Sequence, residues 1–219
     1  TPMALRMISR RSLNGSMTVV GDIAQATAPG SAADWDEVLN YLPARVSEPR
    51  VRELTLSYRI PAPNLELANK VLAVAAPELA PPKAVRSVGS PPRVVEVLGQ
   101  PIAPVQALVE RAVSMVLEES EALGGGSVAV IAPGSLIEVV DEALRARGVD
   151  YGRARTASRN ISGPLHPKIA LVPVQLVKGL ELDGTVVIEP ATILDEEPQG
   201  LRALFVALTR STKRLAIVH

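Results

Sequence analysis

Short β-branched runs alternate with longer stretches whose apolar residues recur at helical spacing, and this alternation constrains the fold more than any other feature. The clearest helix is marked by Val105, Leu108, Val109, Ala112, Val113, Val116 and Leu117, with Gly124 to Gly126 ending it. Val128 to Ala132 follows as a continuous apolar strand, and Leu136, Val139, Val140, Ala143 and Leu144 mark a second helix that stops near Gly148. The same reading predicts strands at Met17–Asp22, Glu53–Leu56, Arg93–Leu98, Ile169–Val177, Thr185–Ile188 and Arg214–Val218. It predicts helices from Pro61 to about Ala75 and from Gln199 to Thr209. Asp34 and Glu37 have the spacing of a capping box opening a short helix through Leu42. Ala24–Ala33, the proline-rich Leu79–Pro92 and the polar Asp150–Pro167 are predicted to be loops or connectors. Strand and helix in alternation imply an α/β fold: a doubly wound, mostly parallel sheet with helices on both faces.

Composition fits that architecture and removes several function classes. Hydrophobic residues make up 47% of the 219 but aromatics only 2%, so the core must be built from Ala, Val, Leu and Ile. Lys plus Arg and Asp plus Glu are 23 each, so no global field draws the chain to nucleic acid, although a local basic groove remains open. Cysteine is absent and only His166 and His219 are present, which leaves neither a disulfide framework nor an obvious metal centre. No apolar run reaches the length of a membrane span, and the opening TPMALRMISRR lacks the order of a signal peptide. A cytoplasmic setting is expected. The chain begins without an initiator Met and mid-pattern, so residues 1–219 are expected to be one domain of a longer parent.

Four segments carry candidate chemistry: VVGDIAQAT (Val19–Thr27), LSYRIP (Leu56–Pro61), VKGLELDGTVVIEP (Val177–Pro190) and LFVALTRSTKRLAIVH (Leu204–His219). Ligands of open α/β sheets bind at the carboxyl ends of strands. Loops expected there would expose Gln25, Arg59, Lys178, Glu181 and Arg210. Two arginines, a lysine and a glutamine converging on one edge suit a polyanion such as a triphosphate, because arginine matches phosphate bidentately and stays charged. Each segment alone has a plainer reading. Gly-Asp is commonly a turn, Tyr-Arg a surface pair and Lys-Gly-Leu-Glu a solvated turn. Arg210 could simply favour a helix C-terminus.

Taken together and in this order, the segments resemble motifs III to VI of superfamily 1A helicases of the UvrD/Rep class. Gly21, Asp22 and Gln25 match motif III, Tyr58 and Arg59 the end of motif IV, KGLELDGTVV motif V, and LFVALTR, Leu204 to Arg210, motif VI. The resemblance implies a RecA-like second motor domain. It implies that Gln25 senses the γ-phosphate of ATP and that Arg59 and Arg210 act as arginine fingers. Glu181, with Gly179 and Tyr58, would face the nucleotide, and Lys178 and Trp35 the nucleic acid. Its partners would be single-stranded DNA and an N-terminal RecA-like domain of the same parent, which would hold most of the ATP and Mg²⁺.

This sequence also departs from the pattern. No G-x-x-x-x-G-K-S/T phosphate loop is present and no Asp-Glu pair precedes Gly21 to act as Walker B, so the chain alone is not expected to hydrolyse ATP. Leu182 replaces an aromatic, Gln175 stands where the family often has His, and Trp35 lies well beyond Gln25, which leaves it open as either a base platform or a packing residue. The short interval between Arg59 and Lys178 leaves no room for a large inserted domain, and so points to compact relatives such as helicase IV or the HelD class. The latter class implies RNA polymerase as an alternative partner, with ATP-driven remodelling in place of unwinding. An unrelated small α/β enzyme is the third reading, but the glycines at 124–126 end a helix and have no Lys-Ser/Thr after them.

Overall fold

The computed structural model describes residues 1–12, 14–43, 49–97, 104–155, 158–162 and 168–219. Leu98, His166 and parts of the 150–167 segment, all used in the sequence reading, lie outside the described residues. The helices are α1 (Pro2–Arg11), α2 (Trp35–Asn40), α3 (Ala62–Ala75), α4 (Pro104–Ala122), α5 (Ile137–Ala146), α6 (Pro190–Glu196) and α7 (Gly200–Leu208). The strands are β1 (Leu56–Ser57), β2 (Lys83–Ala84), β3 (Arg93–Val95), β4 (Val128–Ala132), β5 (Tyr151–Arg155), β6 (Ser158–Ser162), β7 (Ile169–Pro173), β8 (Leu182–Ile188) and β9 (Ser211–Val218).

Among the described residues the main sheet has the order β3-β9-β8-β4-β7-β5-β6, and only the β5–β6 pair is antiparallel. Strand periodicity assigns its two faces. Ala129 and Ile131 of β4 pack with Val187 and Leu215 beneath α3 and α7, while Val128, Val130 and Ala132 pack beneath α4 and α5. Every residue of β4 is therefore buried, which is why the strand reads as an unbroken apolar run. Each fully buried Ile, Leu or Val contributes roughly 1.5–3 kcal/mol. Phe205 on α7 is the one phenylalanine in the chain, and small aliphatics fill the rest.

Helix ends follow local chemistry. Asp34 caps α2 by accepting from the Glu37 amide at 2.7 Å, and Glu37 reaches back to the Ala33 amide at 2.8 Å. Gly124 and Gly125 end α4 at φ 60° and 110°. None of the described helices is long and apolar enough to cross a membrane.

Several expectations are corrected. Met17–Asp22 is extended but forms no strand, because β propensity needs a neighbouring strand and none is brought beside it. Of Glu53–Leu56 only Leu56 lies in a strand: β1 pairs with β2 inside the expected connector, Leu56 opposite Lys83 and Ser57 opposite Ala84. Asp150–Pro167 is not all loop: β5 extends the parallel sheet from β7, and β6 folds back on it. The expected strand from Ile169 ends at Pro173, which has no N–H for the ladder, and Val174–Leu176 forms a 3₁₀ turn. The strands β8 and β9 start earlier than predicted, at Leu182 and Ser211.

Candidate functional site

The helix α7 is buried along most of its length on one face of the sheet and runs against the strand direction, so its C-terminal end delivers Thr209 and Arg210 directly before β9. Glu181 immediately precedes β8, and the Leu182 amide donates to the Arg210 carbonyl at 3.2 Å. The alternation of strand and helix leads one to expect these residues at the carboxyl ends of strands. They lie instead at the amino ends of β8 and β9, because the chain crosses the sheet face before entering each strand. The crossing that precedes β8 uses the segment from Val174 to Glu181, with Val174 and Val177 buried in the α3/α7 layer.

Arg210 was expected to be exposed, but it is 4% exposed. Its Nε donates to the Val206 carbonyl at 2.9 Å, and its Nη2 donates to Thr209 Oγ1 at 3.0 Å and to Gln25 Oε1 at 3.4 Å. Burial, and then the neighbouring Arg59 guanidinium, lower its pKa below the usual arginine value, while Asp22 and Glu181 oppose that shift. Arginine nevertheless keeps its charge at any working pH.

Gln25 ends a 3₁₀ turn, Ile23–Gln25, capped by Asp22. Asp22 Oδ1 accepts from the Ala24 amide at 3.0 Å and Oδ2 from Gln25 Nε2 at 2.6 Å, which turns the Gln25 carbonyl oxygen toward Arg210. The Gln25 main-chain carbonyl accepts from Lys178 Nζ at 2.7 Å. Arg59 Nη2 lies 2.6 Å from Glu181 Oε1, with both side chains about half exposed. Gln25, Arg59, Lys178, Glu181 and Arg210, from four distant segments, thus form one connected patch. Tyr58 beside Arg59 is 69% exposed. Gly179 has φ 83°, a left-handed conformation that strains any other residue and shapes the turn carrying Lys178.

Trp35 stands apart from the patch. It is half-buried and packs against the small cluster of Ile23, Ala32 and Val38. A Cβ on Gly21 would stand 3.3 Å from its ring, so the glycine of GDIAQ makes room for the indole. Next to it the segments 14–24 and 49–55 border a half-open cleft of about 1110 Å³, lined in part by Trp35, Arg50 and Arg52.

Asp22 and Thr209 complete the patch although no role was read for them in the sequence. Both lie inside the quoted segments, where an acid directly before a turn and a hydroxyl beside an arginine are the available signals. Three cationic groups with an amide suit the charged end of a polyphosphate, and Glu181 is a competing anion that must release Arg59 before a phosphate can take it. The described residues contain no group of three or more His, Cys, Asp or Glu side chains placed to hold a metal ion.

The sequence matches no protein-family model and no curated protein. In structure the chain is similar to the C-terminal domain of a possible DNA helicase from Lactobacillus plantarum WCFS1, with TM-score 0.54 and 22% identity over 74% of this chain and 86% of that one. A fainter likeness, TM-score 0.40 and 15% identity over 76% of this chain and 34% of the other, links it to a Sulfolobus solfataricus SWI2/SNF2 ATPase core in complex with dsDNA, and at that level it carries no argument. The likeness is one of fold: a RecA-like α/β architecture with a mostly parallel sheet and flanking helices.

Proposed function

We propose that this chain is the second motor domain of an ATP-dependent superfamily 1 helicase or translocase acting on DNA. The observation that carries the reading is the convergence of Gln25, Arg59, Lys178, Glu181 and Arg210 on one patch. The phosphate loop and the Mg²⁺ site belong to an N-terminal motor domain of the same polypeptide, and this patch faces that domain across a cleft. Arg59 and Arg210 neutralise charge on the γ-phosphoryl group, Gln25 reports its presence, and Glu181, Gly179 and Tyr58 border the nucleotide. Positioning and charge neutralisation supply most of the catalysis in phosphoryl transfer, and a supplied arginine is worth roughly 10³ to 10⁵ in rate. Lys178 and the half-open cleft bearing Trp35, Arg50 and Arg52 serve the nucleic acid, where cationic side chains and an aromatic ring suit single strands. A second reading, ATP-driven remodelling of RNA polymerase by a HelD-type factor, is favoured by the packing of Trp35 into its own apolar cluster, which limits it as a base platform.

The test is ATP turnover by the full-length protein, with and without single-stranded DNA and RNA polymerase. Turnover in Arg210→Ala should fall by about 10³ or more with nucleotide affinity changed far less, because the charge is needed as the γ-phosphoryl group departs. Arg210→Lys should not rescue it, since an ammonium lacks the planar fork. Near-normal turnover in Arg210→Ala, with thermal melts as the folding control, removes the finger role. The isolated chain should bind ATP weakly and not turn it over.

A further inference from the structure

We infer that Arg86 is a positioning residue that fixes the separation of Arg59 and Arg210, an inference that rests on the phosphate-facing reading of those two arginines. Arg59 and Arg210 come from segments more than half the chain apart, and an ion or phosphate held by both requires a fixed distance between them. Arg86 follows β2 and spans the gap. Its Nη1 donates to the Arg59 carbonyl at 2.7 Å and to the Thr212 carbonyl at 2.7 Å, so one nitrogen ties the backbone carrying the first arginine to the start of the strand that follows the second. Its own carbonyl accepts from the Ala62 amide at 2.9 Å, which pins Arg86 to the first residue of α3. Arg86 therefore contacts the Arg59 loop from both sides.

A second link runs beneath the first. Asn64, fully buried in the first turn of α3, donates from Nδ2 to Ser211 Oγ at 3.1 Å, and Ser211 is also fully buried and directly follows Arg210. Two independent hydrogen-bonded ties thus join residues 59–64 to residues 211–212. A Ser-Asn bond alone leaves the loop before α3 free to pivot about its buried end. The Arg86 bridge at the outer end removes that freedom, and both its bonds are charge-assisted and therefore among the stronger of their kind. Both partners are main-chain carbonyls, so the bridge fixes backbone position whatever side chains lie at 59 and 212. Arg86 touches neither guanidinium through its side-chain nitrogens and acts on the site through the two segments it joins.

Hydrogen exchange on the chain carrying Arg86→Ala tests the coupling. The amides of Ile60 and Ala62 and of residues 211–214 should exchange about tenfold faster while those of β4 and α5 hold steady, the pattern of a local opening. Equal acceleration everywhere, or none in either segment, overturns the coupling. The second arm is turnover by the full-length protein. There Arg86→Ala should lower kcat by roughly 10- to 100-fold at nearly constant KM for ATP, as expected for a misplacement on the order of 1 Å. In an Arg59→Ala background it should add almost nothing, because no pair separation remains to be set. A full multiplicative loss in that background overturns the positioning role. If Arg59→Ala and Arg210→Ala both leave turnover intact, the phosphate reading fails instead, and the exchange pattern alone decides whether Arg86 joins the two segments.

Discussion

Replacing Glu119 with alanine should cost far more than replacing its neighbour Glu118, although both carboxylates bind the same arginine. Glu119 lies on the buried face of α4 and is 1% exposed. It accepts from Arg93 Nη1 of β3 at 2.7 Å, and from Nε and Nη2 of Arg214 on β9, the latter at 3.3 Å. One carboxylate thus fastens the edge strand and the strand carrying the site to the same helix. Removing one partner of a buried ion pair costs about 3–5 kcal/mol. Here the arginines are 27% and 38% exposed, Arg93 keeps Glu118, and Arg214 keeps Ser90 at 3.4 Å, so the stranded charges are partly relieved. The loss should therefore fall at the low end, about 3 kcal/mol. That corresponds to a drop of roughly 6–12 °C in melting temperature for a chain of this length. Glu118 is 44% exposed, and its alanine variant should lose less than about 1 kcal/mol. Urea and thermal melts of the two variants side by side decide the matter. Costs for Glu119→Ala and Glu118→Ala within about 1 kcal/mol of each other would refute the idea that burial makes the difference.

Acid should unfold the chain in a definite window. Burial works against the Glu119 carboxylate, but the Arg214 and Arg93 hydrogen bonds outweigh it and hold its pKa below the ordinary value; Arg93 and then Arg111 do the same for Glu118, and Lys213 and the Ser127 amide for Asp183. Their folded pKa values lie below the unfolded ones, so the stability they contribute is present above about pH 4.3 and is lost as pH falls through the depressed values, which a pH series of urea melts will read. Trp35 is the sole tryptophan, so its fluorescence reports one site: a base platform predicts quenching by oligothymidine and weaker oligothymidine binding by Trp35→Ala, whereas pure packing predicts no quenching, unchanged binding and a stability loss of up to roughly 3 kcal/mol in that variant. Glu181→Ala should change stability by less than about 1 kcal/mol, since its pair with Arg59 is half exposed, and chemical denaturation checks it.

The central strands were legible because both their faces are covered. Val128–Ala132 carries its own boundaries in the glycines before it and Pro133 after it, and it was read without error at either end. The start of β8 was hidden by Asp183, a polar residue accommodated by Ser127 and Lys213 from elsewhere in the chain, a tertiary contact that local pattern does not encode. Met17–Asp22 shows the converse, a strand-like run for which the fold provides no neighbour. The hairpin β5–β6 was missed because Tyr151–Arg155 and Ser158–Ser162 are rich in polar residues and carry no apolar alternation. At the site, residue types and order pointed to Gln25, Arg59, Lys178, Glu181 and Arg210 as a group. Arg210 was nonetheless expected at the surface, because arginine is seldom buried and its acceptors, Val206 and Gln25, are supplied only by the folded chain. Arg86 has no motif around it, and its significance lies wholly in the two carbonyls it reaches.

The place of β9 bears on how the molecule can be assembled in time. It comes last among the described strands, yet it is flanked on both sides, by β3 and β8, with Arg93 opposite Ala216 and Ile188 opposite Val218. During synthesis β3 therefore emerges long before the strand it must pair with, and it waits through the making of more than half the chain. The β4–β7 pair can form earlier, but the edge from β3 to β8 closes only when residues 211–218 are free of the ribosome. Without Leu215 to Val218, β3 would lose its partner and the second half of β8 would have a bare edge, so a chain stalled or cleaved before Leu215 would present an open seam to its neighbours.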